Sequence, residues 1–254
     1  MKKKKKKSNS LYIFVLVILV AISGLLIAPR FIKKDTTTLD YIKSLEQKDV
    51  NEEKAALKRL RKKELKAAVK NGELTVFSLF EDFVIYGDSR VYGFGSFGYF
   101  NDALVFANAS HTIDNIADWD ENLKTINPST VIIAYGINDL GLKLDEKYHG
   151  YKEHFKEMVN EHILAHCPNA KIYINSIITA NPTAMANSPN WYEIGNYNKQ
   201  IKELCEETGW IFVDNSTICD GTDPDVYSGD GVHFSRPFYY IWAENIYDKI
   251  ELND

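Results

Sequence analysis

The stretch FVIYGDSRVYGFGSFGYF, residues 83–100, opens with the apolar run Phe83-Val84-Ile85-Tyr86, breaks at Gly87-Asp88-Ser89 and continues through glycines and aromatics. A short β-branched and aromatic run that stops at Gly and two capping residues reads as a buried strand turning into a helix. The same pattern recurs in ALVFANA (103–109), TVIIAYG (130–136), KIYINSI (171–177) and WIFVDNS (210–216). Most of these runs are nearly continuous in apolar residues, as parallel strands covered on both faces require. Between and after them, residues 112–126, 151–167, 191–209 and 236–250 carry amphipathic, helix-like patterns. Strand–helix alternation with right-handed crossovers predicts an α/β fold, a three-layer α/β/α sandwich around a parallel five-stranded sheet.

Upstream, the composition changes character. Residues 2–7 are all lysine, and Leu11 to Ala28 contains no charge. Such a run is long enough to cross most of a bilayer core, and the flanking lysines favour a cytoplasmic N-terminus. A cleavable signal peptide is the rival reading, but IAPRFIKK (27–34) offers no small-x-small cleavage site. The expected organisation is a basic tail (1–10), a transmembrane anchor (11–29), a charged helical stalk (30–74) and an outward-facing domain (75–254). The Lys/Glu/Leu/Ala-rich stalk ends at the helix stop Asn71-Gly72, and its apolar positions are too irregular for a heptad. A basic helix lying on the membrane surface is the alternative to a solvated spacer.

The chain carries a formal net charge of −5, unevenly spread. Residues 1–71 hold 19 Lys+Arg against 7 Asp+Glu, which leaves 11 against 28, a net −17, for residues 72–254. Such a domain repels nucleic-acid phosphates and anionic lipid headgroups, and neutral glycans or small esters remain as substrates. Cys167, Cys205 and Cys219 form no CxxC or Cys/His metal spacing, and buried thiols are their simplest reading.

In an open parallel sheet, ligands bind beyond the carboxyl ends of the strands. There the sequence places Asp88-Ser89-Arg90, Asn108 to His111, Asn138-Asp139, the long loop from Ile178 to Asn190, and an acidic loop leading to Asp230 and His233. Ser89 lies at a helix N-terminus, where free N–H groups stabilise an oxyanion, although Asp and Ser are also ordinary caps. His233, with Asp230 three residues earlier, supplies a base and its orienting carboxylate. Asn138 can donate its amide to an oxyanion beside the Ser89 N–H, or simply make a turn. Calcium binding by CDGTDPDVYSGDG (219–231) is disfavoured because the spacing of a calcium loop is missing. His111 is read as a bystander or a substrate contact. His149, His154, His162 and His166 face solvent or the packed edge of their helix. Tyr92, Phe94, Phe97, Tyr99 and Phe100 read as core. Trp191 and Tyr192, after the unstructured segment TANPTAMANSPN (179–190), are the candidate sugar platform.

In these blocks, GDSR (87–90), GIND (136–139) and DGVH (230–233), the sequence resembles the SGNH, or GDSL-type, hydrolase superfamily over roughly residues 76–254. The resemblance implies a flavodoxin-like fold, Ser89 as nucleophile, Asn138 as oxyanion donor, His233 as base, Asp230 as its orienter, and no metal or organic cofactor. It implies a serine esterase that removes short acyl groups, acetyl above all, from cell-surface carbohydrate. An O-acyltransferase using the same triad and a non-catalytic glycan-binding scaffold are the alternatives. A nucleotide or flavin binder is disfavoured by the missing Gly-x-Gly-x-x-Gly and by the charge. Two departures stand out. FANASHTI (106–113) lacks the glycine of the family's second block, so the backbone N–H of Ala109 or Ser110 would serve the oxyanion. Arg90 replaces a common leucine and pairs with Asp88 or a neighbouring carboxylate, or contacts an anionic substrate group.

Overall fold

The computed structural model of the protein describes residues 16–19 and 50–253. The chain divides into two units, residues 1–61 and 62–254. In the first, residues 16–19 are helical and exposed. The anchor expected over 11–29 otherwise lies outside the described residues, as do the tail and residues 30–49 of the stalk. Among the described residues no helix is long and apolar enough to cross a membrane. The remaining stalk is helix α1 (Val50–Lys70), which crosses the division and stops before Gly72, whose φ of +75° a helix cannot continue.

The second unit holds β1 (Phe83–Gly87), β2 (Val105–Ala107), β3 (Thr130–Ala134), β4 (Lys171–Asn175) and β5 (Ile211–Val213). They form a single parallel sheet in the order β2-β1-β3-β4-β5. Each strand sends alternate side chains to opposite faces. Ile85, Ile132, Tyr173 and Val213 enter one core with Phe94, Phe238 and Trp242, whereas Val84, Tyr86, Phe106, Ile133 and Ile174 enter the other with Tyr151, Phe155 and Leu204. Helices α2 (Ser89–Ser96) and α9 (Phe238–Leu252) supply the first layer; α3 (Asp120–Ile126), α6 (Tyr151–Val159) and α8 (Ile194–Thr208) supply the second. Two short helices follow β3, α4 (Ile137–Gly141) and α5 (Leu144–Tyr148), and α7 (Pro182–Asn187) follows β4. This is the expected three-layer sandwich.

The differences are local. β2 is shorter than 103–109 because Asn101 caps a 3-10 turn over Asp102–Leu104 through the Ala103 N–H. The helix expected over 112–126 begins as a 3-10 segment, Ile113–Trp119, started by a capping box between Thr112 and Asn115. Helix α6 runs on into a π-turn at Asn160–Leu164. The segment read as unstructured contains α7, with Asn181 accepting from the Ala184 N–H and Pro182 at its first position. Buried polar groups pin the far side of the sheet: the Asn175 side-chain oxygen accepts from Trp242 Nε1 (3.1 Å) and Asn215 Nδ2 (3.2 Å), which ties the ends of β4 and β5 to α9.

Candidate active site

The buried strand β1 ends at Gly87, where a Cβ would overlap the Val91 side chain, so the first turn of α2 can fold back closely onto the strand only with glycine. Asp88 caps that helix: its Oδ1 accepts from the Arg90 N–H at 2.8 Å. The cap is therefore Asp88, and the Ser89 hydroxyl is not used for it. Ser89, at the first helical position, keeps an N–H that no intrahelical acceptor can reach.

Residues 227–234 form a tight turn closed by an antiparallel bridge between Tyr227 and Phe234 and by the Ser228 N–H donating to the His233 carbonyl (2.7 Å). At its tip, Asp230 Oδ1 accepts from the Val232 and His233 N–H groups, each at 2.9 Å, and from Ser228 Oγ at 3.0 Å. Asp230 Oδ2 lies 2.5 Å from His233 Nδ1, and His233 Nε2 lies 2.9 Å from Ser89 Oγ. A carboxylate only accepts, so Nδ1 carries the imidazole proton and Nε2 accepts from the Ser89 hydroxyl. Partial burial pushes the Asp230 carboxyl up, but the hydrogen bonds from His233, the two backbone amides and Ser228 prevail and hold it well below the usual carboxylate range. The three residues thus form a continuous chain, Asp230 to His233 to Ser89, on a turn whose backbone is fixed by the same carboxylate.

The oxyanion candidates come from the exits of β2 and β3. Asn138 lies on α4, and one hydrogen of its Nδ2 goes to the His111 carbonyl at 2.9 Å, which leaves the other for a ligand. Ala109 and Ser110 are exposed, and Ser110 has φ +64°. Ser110 thus takes up, without a glycine, the left-handed conformation that glycine adopts most easily. The block is held from below by Asp139, whose Oδ1 accepts from the Ile113 N–H (3.0 Å) and from Tyr151 Oη (3.1 Å). Asp139 is fully buried and its Oδ2 has no partner. Burial, with a smaller contribution from Asp88, pushes its carboxyl up to about 7 against these two hydrogen bonds. From outside, Asp114 accepts from Tyr148 Oη (2.8 Å), Lys147 Nζ (3.0 Å) and His154 Nε2 (2.6 Å).

The sequence matches the model of the GDSL-like lipase/acylhydrolase family over residues 85–240. The chain belongs to the GDSL-like lipase/acylhydrolase family. Membership makes it an acylhydrolase by descent, within the SGNH superfamily. No curated protein matches the chain. Among solved structures, it is similar to a putative acylhydrolase from Bacteroides fragilis (18% identity, 68% of this chain and 88% of that one, TM-score 0.54). It is also similar to a GDSL-like lipase from Bacteroides thetaiotaomicron (16%, 74% and 98%, 0.53) and to the lipase/acylhydrolase from Enterococcus faecalis (17%, 68% and 97%, 0.53). At these identities the structures attest the fold.

Several candidate residues lie where the sequence did not place them. Arg90 is only 4% exposed and so is not placed to contact a substrate; the Asp88 carboxylate beside it is its charge partner, as expected, but the guanidinium's hydrogen bonds go to three backbone carbonyls. Its signal was invisible in the sequence because its acceptors are main-chain atoms of distant loops. Trp191 is part of the packing: its Nε1 donates to the Ile137 carbonyl at 3.0 Å and its ring meets the second core. Tyr192 is 64% exposed and remains open to a ligand. His111 is half-buried, with its carbonyl on Asn138 and its Nδ1 unpartnered. Tyr92 is exposed rather than core, while Phe94 and Phe100 are buried. Of the two settings expected for it, His154 takes the packed edge of its helix, buried against Asp114. Among the described residues no group of three or more His, Cys, Asp or Glu side chains is arranged to hold a metal ion. In the acidic loop, Asp220 and Asp223 each accept from the N–H two residues on, as Asp214 does just after β5, which is how turns use aspartate.

Proposed function

We infer that the protein is a serine esterase in which Ser89 attacks an ester carbonyl while His233 Nε2 takes its proton and Asp230 holds the imidazole. The observation that carries this reading is the chain of hydrogen bonds from Asp230 through His233 to Ser89, at 2.5 and 2.9 Å. The Ser89 N–H, Asn138 Nδ2 and the N–H of Ala109 or Ser110 receive the negative charge that develops on the carbonyl oxygen. Collapse of the tetrahedral species expels the alcohol, protonated by His233, and leaves an acyl-serine. Water, deprotonated by the same imidazole, then releases the acid.

The side chains of His233 and Asp230 are 46% and 49% exposed. Water reaches such a site, which favours hydrolysis over transfer to a second alcohol. The substrate on this reading is a short acyl ester, acetyl above all, on a carbohydrate. Its support is chemical: the net −17 of residues 72–254 repels anionic substrates and leaves neutral ones. Anchorage by residues 11–29, with the enzyme facing outward, belongs to the same proposal and is supported by the lysine run and the uncharged segment.

The test is hydrolysis of p-nitrophenyl esters of increasing acyl length, and of acetylated oligosaccharides, by the full-length chain. Ser89→Ala and His233→Ala, with unchanged circular dichroism, should each lower kcat/KM by about 10^3-fold or more. A folded wild type no faster than either variant, and no faster than buffer with any acyl length, would put the non-catalytic scaffold first; turnover retained in both variants would overturn the assignment of Ser89 and His233.

A further inference from the structure

We propose that Arg90 is a positioning residue that locks the His233 turn against the nucleophile turn. This inference rests on the catalytic reading above and adds a residue that neither the family blocks nor the triad geometry assigns.

Arg90 directly follows Ser89, and its main chain is fixed at both ends. Its N–H donates to Asp88 Oδ1 at 2.8 Å, and its carbonyl accepts from Tyr239 Oη of α9 at 2.6 Å. The buried guanidinium then spans two loops. Nε donates to the Val232 carbonyl at 3.0 Å, Nη1 to the Ile178 carbonyl at 2.5 Å, and Nη2 reaches the Thr179 carbonyl at 3.5 Å. Its carbon centre sits 4.8 Å from the centre of the Phe234 ring. Val232 and Phe234 flank His233 on either side, so the guanidinium holds the backbone before the imidazole and packs on the side chain after it. The serine and its base are 144 residues apart in the chain, and one side chain adjacent to the serine bridges the gap.

The surrounding contacts show that this junction is built rather than incidental. The Asn181 N–H donates to the Gly231 carbonyl at 2.9 Å, and Tyr227 Oη donates to the Thr179 carbonyl at 3.0 Å. The exit of β4 and the His233 turn therefore form one body, with Arg90 as its link to the nucleophile. A planar fork with five donors suits three carbonyls in divergent directions; an ammonium is a single point and a leucine offers nothing. Catalysis by a serine depends on sub-ångström alignment of the base, and a displacement of about 1 Å can cost about 10^2-fold in rate.

The experiment compares wild type, Arg90→Lys, Arg90→Leu and Arg90→Ala in the full-length chain, well below each variant's Tm. The readouts are kcat and KM for p-nitrophenyl acetate, the pH profile of kcat/KM, and the downfield proton NMR signal of the His233 Nδ1–H. Arg90→Leu should lower kcat about 10^2-fold with KM changed by less than about threefold, and should weaken or broaden the imidazole signal. Arg90→Lys should fall between, and millimolar methylguanidinium should restore part of the Arg90→Ala rate. If folded Arg90→Leu or Arg90→Lys keeps the wild-type kcat, pH profile and imidazole signal while only Tm drops, Arg90 is a stability residue and the proposal fails. Ser89→Ala, run alongside, separates the two readings: activity that survives Ser89→Ala overturns the catalytic assignment itself, whatever Arg90 does.

Discussion

At the scale of single residues, the work of the site is divided so that no atom serves two masters. Asp88 caps α2, which frees the Ser89 hydroxyl for His233; Asp230 spends one oxygen on its own turn and the other on the imidazole. Asp230→Asn should therefore cut kcat by up to about 10^4-fold, because the amide no longer selects the tautomer with hydrogen on Nδ1. Circular dichroism should be unchanged, and a variant with wild-type kcat would contradict the role. Asn138→Ala should cost about 10^2–10^3-fold in kcat, with KM for a small ester little changed, as removal of one oxyanion donor does. Equal losses in kcat and rise in KM would point instead to a substrate contact. The hydrogen-bonded set of Ser89, His233 and Asp230, with Asn138 bonded to His111, was legible because the identity and spacing of these residues are those a serine mechanism requires. The task of Arg90 was not, since its partners are carbonyls that every residue possesses. Ser110 falls between: the sequence shows a missing glycine, but only the backbone shows that the serine there sits in the left-handed region, at φ +64°.

Among the secondary-structure elements, the strands were legible as apolar runs and the parallel sheet as their alternation with helices. What the runs did not show was where pairing stops. β2 and β5 are three residues each because local side-chain caps and the Asn175–Asn215 network take over the neighbouring backbone. Asn181-Pro182 is a helix start that the polar composition of 179–190 hid. Helix α4 carries the clearest element-scale prediction, through Asp139. Its carboxyl has a pKa of about 7 in the folded protein, above the ordinary value of 3.8, so the folded state holds the proton more tightly between those values. The stability this contributes is fully present below about pH 4 and is lost as pH rises through 7. Asp139→Asn keeps an acceptor for Ile113 and Tyr151 and does not titrate. Its Tm relative to wild type should rise by roughly 5–10 °C between pH 4.5 and pH 8. A difference that stays constant with pH would contradict this. Gly87→Ala should distort the turn between β1 and α2, because its Cβ has no room beside Val91; a lower Tm and a several-fold loss of activity are the expected outcome.

For the whole molecule, charge segregation is the dominant feature: a basic N-terminal third and a domain of net −17. Screening should reveal it. Between about 0.01 M and 0.1 M salt the Debye length falls from about 30 Å to about 10 Å, so kcat/KM for an anionic ester should rise severalfold while that for p-nitrophenyl acetate stays flat. The division of composition was legible from the sequence, as was the convergence of five segments at one sheet edge. The bond between the loops that carry nucleophile and base depended on three-dimensional closure. The central claim is that Ser89 is a nucleophile activated by His233, and the most direct test is covalent. Full-length chain treated with a fluorophosphonate should gain the mass of one adduct, located by peptide mapping at Ser89, and His233→Ala should label at least about 10^2-fold more slowly. A folded protein that takes no adduct, or takes it on another residue, would contradict the account.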